Sequence, residues 1–124
     1  MTSVSDAFGR ALILDGEAEG DIAVSARMTE SGASVSIRGE LDLSSAPYLR
    51  TSLLQVMAAC ADGGGLTLDL SQVPFCDSTG LNVLLRARQR AVSEHRTLTI
   101  AAASPQVMRL LEMTGAAPLF TGKT

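Results

Sequence analysis

From about residue 21 onward the chain switches repeatedly between strand and helix periodicity, which predicts an α/β fold. The expected architecture is a mixed β-sheet with helices packed on it, in the order β-β-α-β-α-β-α. Three observations carry this expectation. Residues 22–41 alternate apolar and polar side chains across a Glu30-Ser31-Gly32 turn. Three later segments place apolar residues three and four apart, and short runs rich in Leu, Ile and Ala separate them. Strands that alternate with helices pair in parallel through right-handed crossovers, while the leading hairpin adds an antiparallel element.

Residues 1–20 mix Ser, Asp, Glu and Gly around one apolar patch, Ala11-Leu12-Ile13-Leu14. A flexible N-terminal extension is expected here, the alternative being that the patch adds an edge strand. Ile22, Val24, Ala26 and Met28 then alternate with Ala23, Ser25 and Arg27, and Val35, Ile37, Gly39 and Leu41 with Ser36, Arg38 and Glu40. These two runs read as a β-hairpin with one buried face. Ala46, Leu49, Leu53, Val56, Met57 and Cys60 line one face of a helix, with Ser44 or Ser45 placed to cap it and Pro47 in its first turn. Asp62-Gly63-Gly64-Gly65 ends that helix, and Leu66, Leu68 and Leu70 form a strand too apolar for an open surface. Leu81, Leu84, Leu85, Ala91 and Val92 mark the second helix. Its outer face carries Arg86, Arg88, Gln89 and Arg90, and cations in its C-terminal half suit the helix dipole. A strand over Thr97–Ala101 follows, then a helix started by Ser104-Pro105, striped by Val107, Leu110, Leu111 and Thr114, and stopped by Gly115 and Pro118.

With 124 residues a single domain is expected. Aromatic residues make up 3% of the chain and Trp is absent, so aliphatic side chains and Met must build the core. Ten Lys and Arg against thirteen Asp and Glu give a net charge of −3, which excludes the basic field that direct nucleic-acid binding needs. No apolar run reaches bilayer length and no basic leader precedes one, so a cytoplasmic protein without membrane contact is expected.

Enzyme chemistry finds no support. His95, the single histidine, stands at a helix end between Glu94 and Arg96 and cannot form a metal site alone. Cys60 and Cys76 sit in apolar surroundings, which favours buried small hydrophobes over a disulfide or metal pair, with a redox role for Cys76 beside Asp77 as the minor alternative. Gly63-Gly64-Gly65 lacks the Lys and Ser/Thr of a phosphate-binding loop and precedes a strand where that motif needs a helix. Neither a catalytic site nor a cofactor is expected.

Asp77-Ser78-Thr79-Gly80 is the most informative stretch. It lies where the run from Leu66 to Cys76 passes into the helix beginning near Leu81, so its side chains are exposed beside outward-pointing N–H groups. A helix cap is the ordinary reading. Two details point beyond it: three polar side chains stand where one would cap, and Gly80 lowers helix propensity by roughly 1 kcal/mol relative to Ala. A glycine there fits the close approach of a partner's backbone or of a kinase's nucleotide.

Gly39-Glu40-Leu41-Asp42, Leu68-Asp69-Leu70-Ser71, Phe75-Cys76-Asp77-Ser78-Thr79-Gly80-Leu81 and the late Ala103-Ser104-Pro105-Gln106-Val107 and Leu110-Leu111-Glu112-Met113-Thr114-Gly115 resemble bacterial anti-sigma factor antagonists, which are single STAS domains. The resemblance covers roughly 21–120, leaving 121–124 as a short tail, and it implies a partner-switching cycle. The unphosphorylated antagonist binds an anti-sigma factor that is also a serine kinase of the GHKL ATPase type, which frees a sigma factor. Phosphorylation separates the pair, and a PP2C-type phosphatase restores the antagonist. By position the resemblance assigns Ser78 as phospho-acceptor and Asp42, Asp77, Thr79, Gly80, Leu81 and Asn82 to the switch surface. The alternative it leaves open is an accessory STAS subunit that binds the ATPase of a lipid-transport ABC system.

Overall fold

The alternation in the strands decides which face of the sheet is covered. The computed structural model describes residues 11–13 and 22–121. In it β1 (Ala11–Ile13), β2 (Ala23–Thr29), β3 (Gly32–Arg38), β4 (Gly65–Gln72) and β5 (Leu98–Ala103) form one sheet in the order β1-β2-β3-β4-β5. The β1–β2 and β2–β3 pairs are antiparallel, and β3–β4 and β4–β5 are parallel. The helices α1 (Ala46–Ala59) and α2 (Ser78–Ser93) make the two crossovers, and α3 (Pro105–Met113) follows β5. The expected β-β-α-β-α-β-α order is present, preceded by β1. Of the proposed N-terminal extension, only Ala11–Ile13 is described, as an edge strand; the remainder and 122–124 lie outside the described residues.

Val24, Ala26 and Met28, then Ala33, Val35 and Ile37, then Leu66, Leu68 and Leu70 all point into one core with the helices. The opposite face carries small or polar residues, among them Ser34, Ser36, Thr67 and Ala101, and all four are exposed. One covered face and one wet face is the pattern that strict alternation encodes. The hairpin turn reduces to Glu30-Ser31, because Thr29 already pairs with Gly32. Gly32 is obligatory there: a Cβ would lie 1.8 Å from the carbonyl oxygen of Gly65 on the neighbouring strand.

At the end of the sheet where β4 begins, a buried cation joins two turns. The Nη1 of Arg96 donates to the carbonyls of Ala61 and Gly64, both at 2.9 Å, and its Nε donates to Glu94 at 3.0 Å. Buried charge persists only where such partners exist. Hydrogen bonds from Arg90, then Arg96, hold the Glu94 carboxyl below its ordinary range.

After α3 the chain continues into a 3₁₀ turn, Ala117–Phe120, beyond the stop expected at Gly115 and Pro118. Gly115 takes a left-handed φ of 77°, and the turn that follows drives Phe120 into the core, where it is 1% exposed. Among the described residues this ring is the largest fully buried side chain. Phe120→Ala should therefore lower the unfolding free energy by about 3 to 5 kcal/mol, read as a shift of the urea midpoint at unchanged slope. A loss below about 1 kcal/mol would show that the turn does not anchor the domain.

Candidate functional site

The loops that leave β3 and β4 run side by side and extend the parallel pairing beyond the strands. The N–H of Leu41 donates to the carbonyl of Phe75 at 2.9 Å, and the N–H of Asp77 donates to the carbonyl of Leu41 at 3.0 Å. Leu41 itself is fully buried. From the other side α3 stitches the same loop. The Gln106 amide accepts from the Cys76 N–H at 2.9 Å and donates to the Cys76 carbonyl at 3.3 Å, while Ser104 Oγ donates to the Val73 carbonyl at 2.6 Å. The loop 73–77 is thus fixed on both flanks before α2 begins.

Asp77 is the N-cap of α2. Its Oδ1 accepts from the N–H groups of Thr79 at 2.9 Å and Gly80 at 3.0 Å. Ser78 is consequently the first helical residue rather than the cap. Its side chain is exposed, and its hydroxyl makes no hydrogen bond among the described residues. Asn82, one turn further on, is also exposed, and Thr79 is half-buried. Gly80 and Leu81 differ from the expectation that they contribute surface: both are buried. The glycine is required from inside, not by a visiting molecule. A Cβ at Gly80 would stand 2.6 Å from the Leu41 carbonyl oxygen and 2.7 Å from the Leu41 Cβ.

Asp42 organises the adjoining loop. Its Oδ1 accepts from the N–H of Ser44 at 3.0 Å, the hydroxyl of Ser44 at 2.8 Å and the N–H of Ser45 at 3.2 Å. These bonds, led by the Ser44 hydroxyl, hold its carboxyl below the ordinary value. Ser45 occupies the N-cap position of α1, yet its hydroxyl donates to the Glu40 carbonyl at 2.8 Å and caps no helical N–H. Both serines expected as possible caps of α1 shape the loop instead: the Ser44 hydroxyl bonds Asp42, and the Ser45 oxygen accepts from the Asp42 N–H at 3.0 Å. With Leu41 bonded to Asp77, the Asp42 backbone lies one peptide from the α2 start.

Two features were not legible in the sequence. Leu43, 75% exposed, and Phe75, 42% exposed, put apolar surface on the same two loops as Asp42 and Ser78. Isolated exposed apolar residues are ordinary, but here they flank an unbonded hydroxyl. The Gln106 clamp is the second, and only its long-range partner in the loop gives it a role.

The remaining candidates carry no chemistry of their own. Cys76 is 1% exposed, and burial first, then the neighbouring Asp77, pushes its thiol up to about 12. Burial likewise raises Cys60. His95 is exposed in the turn after α2, with a left-handed φ of 63°. Among the described residues no three His, Cys, Asp or Glu are grouped to hold a metal, and no helix is long and apolar enough to cross a membrane.

A mixed sheet covered on one face, with paired loops presenting a helix start at its parallel end, defines a STAS-type domain. A family model described as "Mlab, STAS domain" matches residues 24–121. The anti-sigma-B factor antagonist of Bacillus subtilis is 33% identical over 95 residues, which cover 77% of this chain and 84% of that one. The protein of the same description from Listeria monocytogenes is 32% identical over 79 residues, covering 64% and 68%. Among solved structures, an anti-sigma factor antagonist from Mycobacterium paratuberculosis superposes with a TM-score of 0.70 at 26% identity, over 89% of this chain and 92% of that one. The unphosphorylated form of SpoIIAA shares the fold, with a TM-score of 0.58 at 22% identity over 82% and 89% of the two chains. This chain belongs to the STAS-domain family of anti-sigma factor antagonists.

Gly80→Ala should destabilise the domain, because the methyl group meets backbone that cannot step aside. A loss of about 1 to 3 kcal/mol is expected, although helix propensity alone would favour alanine by roughly 1 kcal/mol. A stabilised variant in urea denaturation would overturn the packing account. The thiols give a second check. Native protein at pH 8 should resist iodoacetamide at both cysteines and react fully once unfolded. A thiol raised in the folded state stabilises it fully only below the unfolded value of 9.0, so stability should fall as pH climbs above that value, and Cys76→Ala should flatten the slope.

Proposed function

We propose that this protein is an anti-sigma factor antagonist whose partner choice is set by the state of Ser78. In its unphosphorylated form it binds an anti-sigma factor that is also a GHKL-type serine kinase, and so frees a sigma factor. Transfer of the γ-phosphoryl group of ATP to Ser78 Oγ, with loss of its proton, ends the complex. A PP2C-type phosphatase hydrolyses the phosphoester and restores the binding form. The antagonist is substrate and inhibitor of the kinase and performs no catalysis itself.

One observation carries this reading: the Ser78 hydroxyl is exposed and unbonded directly beside a carboxylate that already uses the helix-terminal amides. A phosphoserine carries about −1.5 to −2 charge near neutral pH. At an open helix start that charge finds N–H partners. Here Asp77 has taken the N–H groups of Thr79 and Gly80, and Asp42 belongs to the next loop, so the added charge meets like charge. A partner surface complementary to a neutral hydroxyl then loses affinity, and every ~1.4 kcal/mol is tenfold. Leu43 and Phe75 supply apolar contact around the switch without themselves changing state.

Ser78→Ala should bind the cognate kinase with affinity near that of wild type and accept no phosphate, whereas Ser78→Asp should bind at least about tenfold more weakly, a difference of some 1.4 kcal/mol. Incubation with kinase and ATP followed by phosphopeptide mapping tests the acceptor. Phosphate on another residue, or undiminished labelling of Ser78→Ala, would sink the assignment. Purification of Ser78→Ala with its bound partner tests the partner class: a GHKL ATPase supports this reading, and an ABC ATPase favours the alternative of a lipid-transport accessory subunit.

A further inference from the structure

A groove of about 190 Å³ runs between α1 and α2. Leu54, Val83 and Ala87 form its floor; Arg50 stands on the α1 side, and Arg86 and Arg90 on the α2 side. All three arginines are exposed. Only Arg90 has an anionic partner, Glu94 at 2.7 Å, while Arg50 and Arg86 make no ion pair or hydrogen bond among the described residues.

The helix dipole explains Arg90 in the last turn of α2, but not the others. The dipole acts within the terminal turns. Arg86 lies mid-helix, and Arg50 sits toward the N-terminal half of α1, the end that disfavours cations. Arg86 and Arg90 are also an i,i+4 like-charge pair, which weakens an isolated helix. Helix formation alone gives no reason for this arrangement.

We propose that the α1–α2 groove docks an acidic segment of a protein partner, several carboxylates in sequence with one apolar side chain among them. The charge favours an anion, and the apolar floor favours a side chain over an inorganic oxyanion. The groove walls are helix flanks whose backbone N–H groups are already bonded within the helices, so no amide cradle is available for a phosphate. Guanidinium groups pair with carboxylates in bidentate fashion. Because exposed pairs are individually weak and screened by salt, several carboxylates must act together, which a peptide provides. Neither Asp77 nor Ser78 lines the groove, and the proposal does not rest on the phospho-switch reading.

The test is an NMR titration of the ¹⁵N-labelled full chain at about 50 mM salt, a regime of modest screening. The probes are a short peptide of Glu and Asp around a single Leu, its Gln and Asn counterpart, and inorganic phosphate. The acidic peptide should shift the amides of Leu54, Val83, Arg86, Ala87 and Arg90, and added salt should reverse the shifts. Arg50→Gln with Arg86→Gln, both at exposed positions, should weaken binding at least about tenfold, a change of some 1.4 kcal/mol. Replacing the peptide Leu with Gly should weaken it further. The proposal fails if the amide peptide binds equally, if phosphate reproduces the shifts, if the shifts fall on the Ser78 face, or if the double variant binds like wild type.

Discussion

The peptide groups on either side of Leu41 hold the functional end of this molecule together. One donates to Phe75, the other accepts from Asp77, and the Leu41 side chain is fully buried under the start of α2. Two strands that diverge after their last ladder bonds would otherwise leave their loops independent. The pairing at Leu41 makes the loop bearing Asp42 and the helix start bearing Ser78 one rigid unit. Gly80 is the corollary. A helix can approach another segment's backbone this closely only without a Cβ, so the residue that weakens the helix locally is the one that lets it seat.

The division of labour among Asp77, Ser78 and Gln106 follows from that rigidity. Asp77 satisfies two terminal amides, which removes the need for Ser78 to cap and leaves its hydroxyl in solvent. Gln106 supplies to Cys76 the two hydrogen bonds that a neighbouring strand would have made. Through it, α3 supports the loop before α2 although α3 lies far along the chain. The opposite end of the sheet has its own clamp in Arg96, so both turns there are held by one buried guanidinium.

Much of this was legible because period-2 and period-3.6 patterns report burial directly. Ile22 through Ile37, the stripe of α1 and most of those of α2 and α3 were readable for that reason, although Val92 and Thr114 prove exposed; so was the Ser104-Pro105 start, where the serine accepts from Val107 at 3.3 Å. Features that depend on distant partners were not readable. Ser45 matched a capping preference, but its oxygen accepts from the Asp42 N–H at 3.0 Å while its hydroxyl donates to the Glu40 carbonyl. Gly80 suggested an external visitor because sequence cannot show that Leu41 already fills the space. Phe120 looked like the end of the domain and proves to be the largest fully buried side chain among the described residues, since a 3₁₀ turn gives no long periodic signal. The Arg96 and Gln106 clamps involve partners 30 or more residues away, beyond any local pattern.

The occupied cap changes what a negative charge at Ser78 could do. If the helix amides were free, a phosphate would turn inward, find them and be partly neutralised, and the surface would alter little. With the Thr79 and Gly80 amides committed to Asp77, a phosphate on Ser78 would meet the Asp77 carboxylate beside it and two fewer N–H partners. Its free-energy consequence would then fall on whatever surface faces the α2 start, because the loops on both flanks are hydrogen-bonded in place. The proposed switch would need no conformational change in the antagonist. It needs a rigid frame, one hydroxyl left unbonded, and a local excess of negative charge that a partner must overcome once the hydroxyl is modified.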